Sequence, residues 1–171
     1  MGYNFGTGII TLSRNNARRP PDEFLCSVGE EIGHLLHHRG NPEIFEAWEM
    51  ASTKLQEMGE DVDEKSVFDA TYLINWIEMI GNYAGYVYYE NIRPYNVNEL
   101  AKKSLSNLMK DFTRVDQNTG SDEVKHMIGY MGACWHYLKF GDSKLSELAR
   151  LSSSEAIGYV TGLEMSTEGL L

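Results

Sequence analysis

Residues 67–92, VFDATYLINWIEMIGNYAGYVYYENI, contain no proline and are almost solidly apolar. They predict one long buried helix, and such a helix leaves the rest of the chain little choice but to pack around it. Thr71, Asn75, Glu78 and Asn82 interrupt the run at steps of four, three and four residues, which stacks them on one helix face. Gly81 and Gly85 lie beside that stripe, leaving room for another backbone or a ligand to come close. A buried polar stripe must be satisfied by partners, water or a ligand. The plainer alternative is that the stripe is the wet side of an amphipathic helix.

With 171 residues, 42% hydrophobic and 11% aromatic, the chain is expected to form one domain with a real core. A net charge of −10 argues against a general nucleic-acid binder or an anionic-membrane binder, and it suits a partner with a basic surface. Two cysteines, Cys26 and Cys134, make neither a disulfide framework nor a zinc knuckle, so a reducing, cytoplasmic compartment is expected. The N-terminal residues lack the apolar core of a signal peptide. Gly2 is followed by Gly6 where a myristoylation motif has Ser or Thr. Residues 67–87 have membrane-spanning length but carry Asp69, Asn75, Glu78 and Asn82 and no flanking basic cluster, which excludes a span.

In chain order, residues 1–19 read as an irregular arm with one β-prone run at 9–12. Pro20 and Pro21 followed by Asp22 and Glu23 start a helix that reaches about Arg39 and stops at Gly40-Asn41-Pro42. Its expected inward face is Phe24, Leu25, Val28, Ile32, Leu35 and Leu36. A second helix is expected over 43–58, with Ile44, Phe45, Trp48, Met50, Ala51 and Leu55 apolar, and an acidic link over 60–65 leads to the central helix (about 66–92). Pro94 ends that helix. Asn96 or Asn98 caps a fourth, roughly 99–112, and the turn cluster 116–120 precedes a fifth running from Ser121 or Asp122 to about Phe140. Two short helices are expected around 144–151 and 154–163. The fold class is all-α, a helical bundle organised around the long central helix.

The chemistry-bearing stretch is Gly29-Glu30-Glu31-Ile32-Gly33-His34-Leu35-Leu36-His37-His38. Glu31, His34 and His38 form one helical row, and Glu30, His34 and His37 another. Carboxylate and imidazole on adjacent turns can converge on one divalent metal ion. The modest alternative is surface Glu–His pairing, worth a few tenths of a kcal/mol.

These residues resemble the all-α nucleotide pyrophosphohydrolases, the MazG-like and dimeric dUTPase-like enzymes. Glu30-Glu31-Ile32-Gly33-His34 looks like their EExxE metal stretch with histidine replacing the last carboxylate. Ile77-Glu78-Met79-Ile80-Gly81-Asn82 is similar to the EELGD stretch of their second metal helix. Residues 97–112 resemble the LEEVAELNIEKLRKRY-like segment that follows. The resemblance spans about residues 23–112, so 22–113 would be the family core and 121–171 additional C-terminal helices. It implies hydrolysis of a (deoxy)nucleoside triphosphate to monophosphate and pyrophosphate, by a homodimer or tetramer. Glu30, Glu31, His34 and Glu78 would hold Mg²⁺ or Mn²⁺, with Glu31 and Glu78 central to catalysis; Asn82, Lys102 and Lys103 would contact substrate. Trp48, Trp76 or Tyr83 would stack on the base or simply pack in the core. Met79 and Asn82 stand where the family has acids, which weakens Mg²⁺ binding, and His34 shifts preference toward Mn²⁺.

Two further patterns overlap it. Residues 30–38 also resemble the HELGHLLLH helix of ImmA/IrrE-type zinc peptidases, with Glu30 in place of the first histidine and residues 46–51 similar to their downstream glutamate stretch. Glu31–His34 and Glu123–His126 are two ExxH pairs, as in ferritin-like di-iron bundles, with Glu46 or Glu49 and Glu78 as bridging acids. The reading from another class is a catalytically silent acidic helical binding or regulatory protein, whose acidic surface takes a protein partner with a basic surface.

Overall fold

A computed structural model of the protein describes residues 1–12, 18–58, 63–94, 96–112 and 122–168. Among them the chain forms seven helices: α1 (Pro21–Gly40), α2 (Pro42–Met58), α3 (Glu64–Ile92), α4 (Val97–Phe112), α5 (Asp122–Phe140), α6 (Leu145–Leu148) and α7 (Ser153–Glu168). The expected all-α bundle is what forms, and α3 lies at its centre, packed against α1, α2, α5 and α7. Asp63 caps α3 by accepting a hydrogen bond from the Ser66 amide at 2.8 Å, satisfying one of the orphan donors of the first turn. The expected turn over 116–120, the Ser121 cap and residues 60–62 of the acidic link lie outside the described residues.

The arm at the N-terminus is more regular than expected. β1 (Gly2–Asn4) and β2 (Ile9–Thr11) pair antiparallel with Tyr3 opposite Ile10. The hairpin docks on α1 and α2: the Tyr3 hydroxyl lies 3.0 Å from His38 Nδ1, and the Phe5 ring packs against those of His34, His38, Phe45 and Trp48.

One continuous apolar core runs around α3, with Leu73, Trp76, Ile77, Met79, Ile80, Tyr83 and Tyr89 each at most 2% exposed. Ile44 and Phe45 of α2, Val97 and Ala101 of α4, Cys134 and Tyr137 of α5 and Val160 of α7 complete it. Met50, expected on the apolar side of α2, is 73% exposed. At the end of α5, Gly141 turns the chain with φ +58, and its carbonyl accepts a 2.6 Å hydrogen bond from the buried Tyr83 hydroxyl.

The main departure concerns α1. Its apolar residues were expected to face inward, yet the buried ones are Ser27, Gly29, Glu31, Gly33, His34 and His37, and Leu36 is 63% exposed. The reason is steric. A Cβ on Gly33 would lie 2.5 Å from Ala84 Cβ and 3.1 Å from the Gly81 carbonyl oxygen, and one on Gly85 would lie 2.8 Å from the Cys26 carbonyl oxygen. The glycine faces of α1 and α3 thus meet backbone to backbone, closer than two helices with full side chains come. The polar residues interspersed with those glycines are carried inside with them.

Candidate metal centre

The close crossing of α1 and α3 determines the site. Glu30 and His34 come from adjacent turns of α1, and Glu78 from the facing turn of α3. One ligand atom from each lies within 4.8 Å of the others. His34 Nε2 stands 3.8 Å from Glu78 Oε2. The polar stripe on α3 is therefore not a wet side. Asn75 is 1% exposed, and its carboxamide donates to the Thr71 carbonyl at 2.9 Å while accepting from the Gly129 amide at 3.0 Å. Asn82 Nδ2 donates to both Glu30 Oε1 and the Glu78 carbonyl, each at 3.0 Å, so it holds the Glu30 carboxyl in place. Burial, with the Glu78 and Glu30 carboxyls nearby, pushes the Tyr130 hydroxyl of α5 up.

The electrostatics suit a cation. Burial, with Glu78 and Glu31 nearby, pushes the Glu30 carboxyl up to about 8. Burial also pushes the His34 imidazolium down, against the attraction of Glu78, so the ring is neutral near pH 7 and offers a lone pair. His34 is 5% exposed, and its Nδ1 has no hydrogen-bond partner. A buried imidazole with one unpartnered nitrogen, beside two carboxyl groups, has the donor types that a divalent cation takes. Two carboxylate oxygens and an imidazole nitrogen fit Mn²⁺ or a similar transition ion better than Mg²⁺.

The cluster borders a cavity of about 440 Å³ whose wall includes Glu30, Glu31, Asn82 and Tyr130, with Cys26, Tyr86, Leu100 and Ser104 also lining it. That volume lies in the range of small-molecule pockets. Arg19 and Glu23 also line it. Arg19 Nη1 donates to Ser27 Oγ at 3.0 Å.

Of the residues expected at the site, Glu30, His34 and Glu78 converge and Asn82 supports them. Glu31 is buried and lines the cavity, but the trio contains Glu30 rather than Glu31. Burial pushes the Glu31 carboxyl up, and a hydrogen bond from the Tyr3 backbone works against that rise, so β1 rather than a shared ligand site engages it. Lys102 and Lys103 are exposed on α4 and do not line the cavity, and Lys102 pairs with Glu99 at 3.1 Å. Trp76 and Tyr83 are fully buried, and Trp48 packs on Phe5, so none of the three lines the cavity. The glutamates offered for a zinc or di-iron site, Glu46 and Glu49, are exposed on α2 and outside the cluster. His38 engages Tyr3 instead, and the Glu123 and His126 side chains lie outside the described ones. Sequence reasoning missed Tyr130, Tyr86, Ser104 and Arg19. They approach from α5, α3, α4 and the segment before α1, and no local spacing connects them.

Compared with known proteins, the chain matches no family model, no curated protein and no solved structure. Among the described residues, no helix is long and apolar enough to cross a membrane.

Proposed function

We propose that the protein is a metal-dependent (deoxy)nucleoside triphosphate pyrophosphohydrolase, cleaving its substrate to monophosphate and pyrophosphate. The observation that carries this reading is the convergence of Glu30, His34 and Glu78 from α1 and α3, with Glu30 on the wall of a cavity of about 440 Å³. The resemblance of residues 23–112 to the MazG-like enzymes names the reaction, and implies a cytoplasmic homodimer or tetramer.

Glu30, His34 and Glu78 would hold the metal, with Mn²⁺ preferred to Mg²⁺. When bound, a divalent ion neutralises phosphate charge and acidifies a coordinated water. Asn82 orients the Glu30 carboxylate through its hydrogen bond, and the Tyr130 hydroxyl lies near Glu78. Glu31 lies on the cavity wall, where it contributes negative charge next to the trio.

The test is pyrophosphate release from a panel of ribo- and deoxynucleoside triphosphates with Mg²⁺ and with Mn²⁺. The wild type is expected to turn over at least one, more strongly with Mn²⁺, and Glu78→Gln is expected to abolish it. A well-folded wild type inactive with both metals would overturn the hydrolase reading in favour of a silent acidic module with a protein partner.

A further inference from the structure

The cavity beside the trio is acidic, with Glu23, Glu30 and Glu31 on its wall and Glu78 behind it. An anionic ligand is repelled from such a cavity until its charge is offset. Two cations share that wall: the amino terminus at Met1, which acts on Glu31, and the Arg19 guanidinium. The guanidinium carries five N–H donors in a rigid fork, and the one hydrogen bond it makes among the described residues goes to a neutral hydroxyl, Ser27 Oγ. Arg19 shares the wall with Glu23, Glu30 and Glu31 and its charge acts on the Glu30 carboxyl, yet none of the ion pairs found within 4.0 Å among the described residues includes it. A surface arginine beside glutamates ordinarily folds onto one of them. Here Ser27, itself 9% exposed and fixed on the buried face of α1, holds the fork at the cavity wall instead.

We propose that Arg19 is the phosphate-recognition residue of this cavity, and that the cavity admits a polyphosphate only together with a divalent cation. The ligand class is a phosphate anhydride bearing an organic group. The cation on Glu30, His34 and Glu78 neutralises the phosphates at one end, and the Arg19 fork takes phosphate oxygens from the other side. The organic group is left facing Cys26, Tyr86 and Leu100, the less polar part of the wall. This inference rests on the metal centre proposed above. It assigns to Arg19 the phosphate contact that the family resemblance implies for Lys102 and Lys103.

The test is binding rather than turnover. Mn²⁺ uptake is followed by electron paramagnetic resonance, and pyrophosphate binding by calorimetry, on full-length wild type, Arg19→Gln, Arg19→Lys and Ser27→Ala. Pyrophosphate is expected to bind the Mn²⁺-loaded protein and not the metal-free one. Arg19→Gln is expected to keep wild-type Mn²⁺ affinity and lose pyrophosphate affinity by roughly 10–100-fold, as for one charge-assisted contact. Arg19→Lys should recover part of that loss, and Ser27→Ala should show a smaller loss with Mn²⁺ uptake intact. If Arg19→Gln binds pyrophosphate like the wild type while still taking up Mn²⁺, this inference fails and the metal centre stands. Equal pyrophosphate binding with and without Mn²⁺ also overturns it. No Mn²⁺ uptake by the wild type removes both the metal centre and this inference. Arg19 is exposed, so its variants are expected to fold, and circular dichroism checks that they do.

Discussion

The imidazole of His34 occupies the space that a side chain on Gly81 would need: a Cβ built there would lie 2.3 Å from His34 Cε1 and 2.6 Å from each ring nitrogen. The glycine on α3 is therefore part of the candidate site, because its missing side chain leaves the seat that the His34 ring takes. The Phe5 ring packs edge-on against His34, so the ring is hemmed in on that side as well.

Gly81→Ala should therefore damage the site more than the fold. The added methyl displaces a buried ring, at a cost of about 1–3 kcal/mol typical of overpacking. Mn²⁺ affinity is expected to fall at least about tenfold, the loss of one ligand's worth of binding. Thermal denaturation and a Mn²⁺ titration measure the two effects separately. A variant that is destabilised but binds Mn²⁺ normally would remove His34 from the ligand set.

Glu30 gives the metal-free protein a distinctive pH response. Its folded value of about 8 lies above the ordinary carboxylate range, so the folded state holds a proton that the unfolded state releases. The stability this contributes is complete below about pH 4.5 and is lost as pH rises through about 8. Glu30→Gln should flatten that decline and stabilise the metal-free protein at pH 8.5 by on the order of 2 kcal/mol, since the buried negative charge is gone. The same substitution should abolish Mn²⁺ binding, and wild-type Mn²⁺ affinity should climb from pH 6 to 8 as the proton leaves. Urea denaturation at several pH values, with and without Mn²⁺, tests each point. A wild-type stability that rises from pH 6 to 8 without metal would contradict it.

His37 has the opposite sign. It is 4% exposed, packs on Phe45, and neither ring nitrogen has a hydrogen-bond partner, so burial together with His34 and His38 pushes it down to about 3. The unfolded chain binds that proton near 6.5, so stability is complete above about 6.5 and falls as pH drops toward 3. His37→Leu should lose about one proton's worth of that slope and should be at least as stable as wild type at pH 7, since no buried nitrogen is left unsatisfied. Stability curves from pH 4 to 7 that run parallel for the two proteins would show that His37 is not buried as described.

The fold could be read from the sequence because its determinants are local. Proline at the start of α1, Pro94 after α3 and the apolar run of 67–92 set helix bounds that the structure matches to within a few residues. Glu30, His34, Glu78 and Asn82 were legible for a related reason: helical spacing alone puts each pair on one face. The orientation of α1 was not legible. Hydrophobic periodicity points Leu36 inward, but the packing of Gly29 and Gly33 against Gly81, Gly85 and Tyr88 outweighs it, and that depends on what the facing helix presents. Choosing Glu30 over Glu31 follows from the same crossing. Arg19, Tyr86 and Tyr130 reach the cavity through tertiary contacts alone, which no pattern along the chain encodes.

Where α3 crosses α5 at Asn75, one side chain and one missing side chain set how closely the helices approach. Asn75 Oδ1 accepts from the Gly129 amide at 3.0 Å, while a Cβ on Gly129 would lie 2.4 Å from the Asn75 carbonyl oxygen and 3.1 Å from Glu78 Cβ. The backbone at 75 cannot yield, so Gly129→Ala must push α5 away from α3. A loss of about 2–4 kcal/mol is expected, at the upper end for single substitutions. The added methyl also crowds Glu78 Cβ, so the same shift should weaken Mn²⁺ binding. Asn75→Leu tests the other half. It removes the acceptor without adding bulk at Gly129, and should cost about 1–3 kcal/mol for the lost buried hydrogen bonds. Because Asn75 is not a ligand, the folded variant should still take up Mn²⁺, with a smaller loss of affinity than Gly129→Ala. Equal losses of metal affinity in the two variants would mean that the α3–α5 spacing does not govern the site.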